Sequence, residues 1–402
     1  MKKLMLLGTD KDRIPRMAQS ARNLGYYTIL CTDREINIDV DKFIHTDPYN
    51  IPELYRIAIS ERIDGIITGM DSCIRQVNQL ASMLNLPGNN VDGINILFSK
   101  DRFRDAQRKL GLFAPETHIT KNIDECKAVI RDMHFPIMIK PSQGTSSIGV
   151  AQIFHRDDPK TDELYAYCSD SSKNKQVLIE EYIESDEPLK VIEAEIFADG
   201  DHYIWAGIRY CYRRPSLPFV PAIDVYDAEL SSSQYIKMKD AVERILKYCG
   251  FVFGECDLEG FFSKSGEFFI TEINPRQSGC HNPEFIYRES GIDLTKLLVS
   301  LAVGDRSYAD ELQYFTPYKK PAMSIILFNK KVGIFDSIYV SEEIRPYVKF
   351  EKTYPEPGVT LRVAENADDQ LGNFYLEFDT YIQLRHYFNE IDKHIHLVVD
   401  PL

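Results

Sequence analysis

Short apolar runs alternating with stretches of helical spacing organise the first hundred residues. Residues 3–8, Lys-Leu-Met-Leu-Leu-Gly, read as a buried strand that ends in a Gly8-Thr9-Asp10 turn. Apolar positions over 14–24 recur at the helical period and stop at Gly25. Residues 27–31 and 65–69 read as further strands, the latter followed by a helix over about 71–84. This alternation predicts a small parallel βαβ domain over about 1–95. Gly8 and Asp33 invite a dinucleotide-binding reading, but a full G-x-G-x-x-G is absent and a scaffolding role is preferred.

The texture then changes. Residues 98–110 form a basic amphipathic pattern stopped by Gly111. Past Pro115, strands with interspersed helices and longer loops predict an α+β region reaching about residue 304. Residues 157–176 contain a polar, loop-rich stretch beside a short helix. Alternating segments at 324–328 and 359–363 predict a small C-terminal unit, with His394 and His396 on one face of a strand.

Composition narrows the classes. A chain of 402 residues can bury a large core, and about two to four packed units are expected. The net charge of −14 argues against a nucleic-acid partner, which normally requires a basic face. The 8 cysteines form no C-x-x-C pair and no zinc spacing, so free thiols in a reducing compartment are expected. No leader-like segment and no apolar run of membrane-spanning length is found, so the expected location is cytoplasmic with no membrane partner.

Three stretches carry chemistry. In the first, Phe135 to Val150, a strand delivers Lys140 into the loop Ser142-Gln143-Gly144-Thr145-Ser146-Ser147-Ile148-Gly149. Small residues let successive backbone N–H groups converge on phosphate oxygens, and the lysine supplies a point charge. A surface loop is the competing reading. In the second, Leu178-Ile179-Glu180-Glu181-Tyr182-Ile183 runs from the core into two acids, with Glu187 and Glu193 beyond. A carboxylate there can accept a purine amino group, and Glu187 can reach a ribose; a solvated acidic edge is the alternative.

The third stretch, Cys256 to Arg276, reads as a hairpin. With Ser265-Gly266 as a two-residue turn, Lys264 faces Glu267, Glu259 faces Glu272 and Asp257 faces Asn274. Alternation then puts these last four on one face, and Leu258, Phe262, Phe269 and Ile273 on the other. Opposed carboxylates repel unless a cation lies between them. An oxygen-only donor set suits magnesium, with Asp257 as a further candidate ligand.

In this order the three stretches resemble the ATP-grasp superfamily of carboxylate–amine ligases. The resemblance covers about residues 1–304. It implies a Rossmann-like pre-ATP-grasp domain (1–95), an ATP-grasp fold (96–304, lid subdomain about 114–183) and a C-terminal α+β domain (305–402). By position, Lys100 and Lys140 would bind ATP phosphates, and the loop with Ser142, Gly144, Ser146, Ser147 and Gly149 would be the lid over them. Glu180 would take the adenine, Glu181 and Ile183 would offer backbone groups to it, and Glu187 would bind the ribose. Glu259, Glu272 and Asn274 would hold Mg²⁺. Arg276, with Lys140, would act on the transferring phosphoryl group.

The implied activity is phosphorylation of a carboxylate by ATP to an acyl phosphate, followed by attack of an amine. The implied partners are small-molecule acids and amines, with a homodimer as the base-rate expectation. Biotin carboxylases carry a Glu where this chain has Cys280, and the Phe-Gly-Asp-Pro-Glu signature of phosphoribosylglycinamide synthetase is absent. A purine-biosynthetic or carboxylase-type ligase is the first alternative, and a nucleotide-binding protein without turnover the second. Acceptor-site candidates are Arg209, Arg213, Arg214, Ser278, His281 and Glu284.

Overall fold

The computed structural model describes residues 1–10, 12–144, 147–226, 228–317 and 319–402. The N-terminal alternation forms a four-stranded parallel sheet in the order Lys42–His45, Tyr27–Thr32, Lys3–Leu7, Gly65–Ile67. Its two central strands are buried on both faces by the helices Arg13–Asn23, Ile51–Glu61 and Ile74–Leu84, as their unbroken apolar runs require. The turn after the first strand needs glycine: Gly8 has φ +77°, and a Cβ there would lie 2.5 Å from Met70 Sδ. The helix expected over 71–84 begins as a 3₁₀ turn, Asp71–Cys73, and becomes α-helical at Ile74.

A second, antiparallel sheet has the order Thr117–Thr120, Val177–Glu181, Ile137–Pro141, Ala151–Ile153. The helices Ile123–Ile130 and Thr161–Ser171 back it and share its apolar core, which includes Ile137, Ile139, Val177 and Ile179.

The third sheet has eight strands, in the order Phe268–Asn274, Phe253–Phe262, Lys190–Asp199, His202–Arg214, Leu217–Tyr226, Ala322–Phe328, Gln370–Glu377, Val348–Thr353. In Lys190–Asp199 the residues Ile192, Ala194, Ile196 and Ala198 face the helix Ser232–Tyr248, while Glu193 and Glu195 point to the opposite face. Three strands of this sheet lie beyond residue 304, so the C-terminal segment continues the sheet rather than standing apart from it. Ile223 pairs with Ile325, and Asp224 with Ser324.

A three-stranded sheet, Thr360–Leu361, Gly333–Val340 and Ile395–Asp400, packs with the helix Tyr381–His394 around it. Two C-terminal expectations are corrected there. The strand expected over 359–363 is only two residues long, and His394 ends a helix while His396 lies in a strand. No helix among the described residues is long and apolar enough to cross a membrane.

Candidate active site

The strands Phe253–Phe262 and Phe268–Asn274 form the expected hairpin, but by a different turn. Their last pair is Phe262 with Phe268. Residues 263–267 make a longer loop, closed by Gly266 N–H to the Ser263 carbonyl (2.8 Å) and Ser263 N–H to the Glu267 carbonyl (2.9 Å). Lys264 therefore does not face Glu267; it reaches Glu184 at 2.7 Å. The longer loop slips the register by one residue, and a bulge between Glu259 and Gly260, with Thr271 left over, restores it. The two offsets cancel, so Glu259 meets Glu272 and Asp257 meets Asn274. The bulge also exchanges two phenylalanines. Phe268 enters the core, and Phe269, expected there, turns to the other face against Phe261, ring centroids 5.3 Å apart.

The paired acids form one wall of a cavity of about 370 Å³, a volume that suits a small-molecule site. Glu272 accepts a hydrogen bond from the Asn274 amide at 3.0 Å and lies 3.6 Å from Lys100 Nζ. Burial would raise its pKa, but Lys100, Asn274 and Arg276 reverse this and hold the carboxylate below its usual range. Glu259 accepts from the Arg213 guanidinium at 2.7 Å. Two carboxylates and an amide oxygen without sulfur or imidazole are a donor set for a hard divalent cation.

The facing wall comes from the second sheet. Lys140 Nζ contacts Glu180 at 2.6 Å, and Arg104 Nε contacts the other Glu180 oxygen at 2.7 Å. Arg104 also donates to the carbonyls of Ile270 (3.1 Å) and Thr271 (2.9 Å) and lies 4.8 Å from the Phe269 ring centre. It thus fastens the bulge, through Glu180, to the second sheet. Burial would push the Glu180 carboxyl up, yet the two cations bring it down to about 2. Both Glu180 oxygens are engaged within the protein. Sequence reasoning missed Arg104, although it sits one helical turn from Lys100, the spacing that puts two side chains on one helix face.

The cavity gathers most of the expected residues. Lys100, Lys140, Glu180, Glu259, Glu272 and Arg276 line it, and so do Gly144, Ser147, Glu181, Ile183 and Asn274. Others lie elsewhere. The Ser142 hydroxyl bonds Asn174 at 3.0 Å and is buried. Gly149 packs on Ser171 and Pro141, and Glu187 is exposed and paired with Lys190. Ser146 lies outside the described residues.

Arg276 joins the hairpin to the first domain: its Nε donates to Asp71 at 2.8 Å and another guanidinium nitrogen to Asp257 at 3.0 Å. Asp257 therefore faces arginines, Arg209 being 3.9 Å away. Of the six acceptor-site candidates, only Arg213 lines the cavity. Arg209 is fully buried between Glu193 (2.7 Å) and Glu195 (3.2 Å), and Arg214 is bound to Asp392. Ser278 is buried. His281 sits 3.2 Å from Asp12 with its ring against Phe350, and Glu284 pairs with Arg288.

A family model described as "Carbamoyl-phosphate synthase L chain, ATP binding domain" matches residues 99–308. The carbamoyl phosphate synthase large chain of Archaeoglobus fulgidus is 23% identical over 330 residues, covering 76% of this chain and 29% of that protein. The chain thus spans about a third of the length of such large chains. In three dimensions it is similar to the L-amino acid ligase from Bacillus licheniformis, with a TM-score of 0.82 at 17% identity over 100% of this chain and 99% of that one. It is also similar to the biotin carboxylase domain of Hydrogenobacter thermophilus 2-oxoglutarate carboxylase, solved with MgADP, ADP and bicarbonate. That match has a TM-score of 0.73 at 15% identity over 99% of this chain and 91% of that one. At these identities the structural likeness establishes the fold.

Proposed function

The chain belongs to the ATP-grasp family of ligases, through the ATP-binding domain of the carbamoyl-phosphate synthase large chain, and on that premise we propose that it is an ATP- and Mg²⁺-dependent carboxylate–amine ligase. It would phosphorylate a small carboxylate to an acyl phosphate and pass the acyl group to an amine, giving ADP and phosphate. One observation carries this reading: Glu259 and Glu272 oppose each other in a cavity that also presents Lys100, Lys140 and Arg276.

Each residue has a role that follows from its surroundings. Glu259, Glu272 and Asn274 would hold Mg²⁺. When bound, the cation supplies charge neutralisation at the transferring phosphoryl group. Lys140, fixed by Glu180, and Lys100, near Glu272, offer positive charge where phosphates would lie. Arg276 is held at two points, by Asp71 and Asp257, so its guanidinium is preorganised to steady developing charge. The Phe261 and Phe269 rings offer an apolar surface for the base. With both Glu180 oxygens engaged, recognition of the purine amino group falls to Glu181 and to the backbone at Ile183. Closure of the lid sheet would keep water from the acyl phosphate until the amine attacks.

The test is a screen of carboxylate and amine pairs for ADP formation, with Glu272→Ala as the blank. ADP and phosphate that appear only when an acid and an amine are both present support the ligase. Nucleotide hydrolysis indifferent to every acid and amine, or undiminished in Glu272→Ala, would refute it.

A further inference from the structure

The cations in the cavity are not equivalent. Lys140 is bound to Glu180, and Arg276 to Asp71 and Asp257, all outside the set proposed to hold a divalent ion. Lys100 and Arg213 instead face that set. Lys100 stands 3.6 Å from Glu272, whereas Arg213 makes a direct hydrogen bond to Glu259 at 2.7 Å. The Arg213 side chain is 11% exposed, and its buried Nε has no hydrogen-bond partner among the described residues. Its backbone is pinned, with the N–H bonded to the Leu189 carbonyl at 2.7 Å.

We propose that Arg213 is a gate on the metal site: it competes with a divalent ion for Glu259, and binding of the ion frees it to grip the anionic phosphate or acyl-phosphate group in the same cavity. The inference rests on the metal role given to Glu259 and Glu272 above. A hard cation binds carboxylate oxygen at about 2.0–2.1 Å and repels an adjacent guanidinium, so ion and arginine compete for Glu259. The backbone anchor confines the released side chain to the cavity. There its Nε and terminal nitrogens present the planar fork that suits phosphate oxygens. Metal and anion binding thereby become coupled, and each strengthens the other.

The experiment measures Mn²⁺ binding by electron paramagnetic resonance, first without nucleotide and then with a non-hydrolysable ATP analogue. Arg213→Met should bind Mn²⁺ alone about tenfold more tightly than wild type, while the tightening produced by the analogue shrinks by about the same factor. Arg213→Lys, which keeps the charge but not the fork, should fall between them. Arg214→Met, whose partner is the remote Asp392, should match wild type. Unchanged or weaker binding of Mn²⁺ alone in both Arg213 variants, each confirmed as folded by its thermal transition, overturns the gate. Glu272→Gln separates the two claims: if it binds Mn²⁺ as wild type does, the metal site itself is wrong and the gate falls with it. If it loses Mn²⁺ while the Arg213 variants match wild type, only the gate falls.

Discussion

One row of side chains crosses four neighbouring strands of the large sheet: Glu272, Glu259, Glu193 and Arg209 are successive cross-strand partners. Its two ends behave differently. At the cavity end the Glu272 and Glu259 side chains are 34% and 20% exposed, and their cations come from other segments of the chain. At the inner end Glu193 and Arg209 are buried, and Glu195 and Asp224 crowd the same guanidinium. Burial pushes Glu193 up to about 8 despite Arg209, and raises Glu195 as well. Glu272 is held low against its own burial by Lys100, Asn274 and Arg276. The same residue type on the same sheet is therefore held ionised at the cavity wall in one place and enclosed in a buried cluster in the other. The neighbouring cations and the Asn274 amide, which outweigh burial at Glu272 but not at Glu193, make the difference.

The contrast can be broken from either end. The largest effect is expected at the cavity: Glu272→Ala should lower ADP formation by at least about a thousandfold, because it removes charge handling at the transferring group. Stability should hold or rise slightly in urea unfolding, since the substitution relieves repulsion with Glu259. The inner end should respond oppositely. Arg209→Met leaves the buried Glu193 and Glu195 without their hydrogen-bond donor and should cost about 1–3 kcal/mol of unfolding free energy for each acid left unsatisfied; a loss below about 1 kcal/mol would mean that the cluster is not structural.

Acidity provides a finer probe. Glu193 is raised from 4.5 to about 8, so between these values the folded chain holds a proton that the unfolded chain has released. Stability must then fall as pH rises through this window, by up to about 1.4 kcal/mol per pH unit. Glu193→Gln should flatten that slope. Glu180 has the reverse sign: lowered from 4.5 to about 2, it stabilises above 4.5 and loses that contribution on acidification toward 2. Chemical denaturation at a series of pH values reads both. The smallest effect is expected on the surface, where Arg214→Ala breaks the ion pair with Asp392. It should cost less than about 1 kcal/mol and leave ADP formation unchanged.

The hairpin shows how far sequence reasoning reaches. Alternation placed acids at 257, 259 and 272 with Asn274, and the structure pairs them so. The expected turn was nevertheless wrong, and only the bulge at Thr271 rescued the register. Phe269 exposed the error, because residues between turn and bulge are displaced while those beyond it are not. Arg104 stayed hidden because its partner Glu180 lies 76 positions away in the chain, and Arg213, expected at an acceptor site, could not be matched to Glu259, 46 positions away.

What the sequence determined by itself is local: the parallel alternation of the first domain, the strand that delivers Lys140, and the alternation that sets Asp257 with Glu259, and Glu272 with Asn274, on one face of each strand. These depend on periods of two and 3.6 residues that any short window contains. Only the tertiary structure decided which cation meets which acid, and that the chain beyond residue 304 would extend the large sheet. Strand order and ion-pair choice arise from contacts between distant segments, and no local period encodes them.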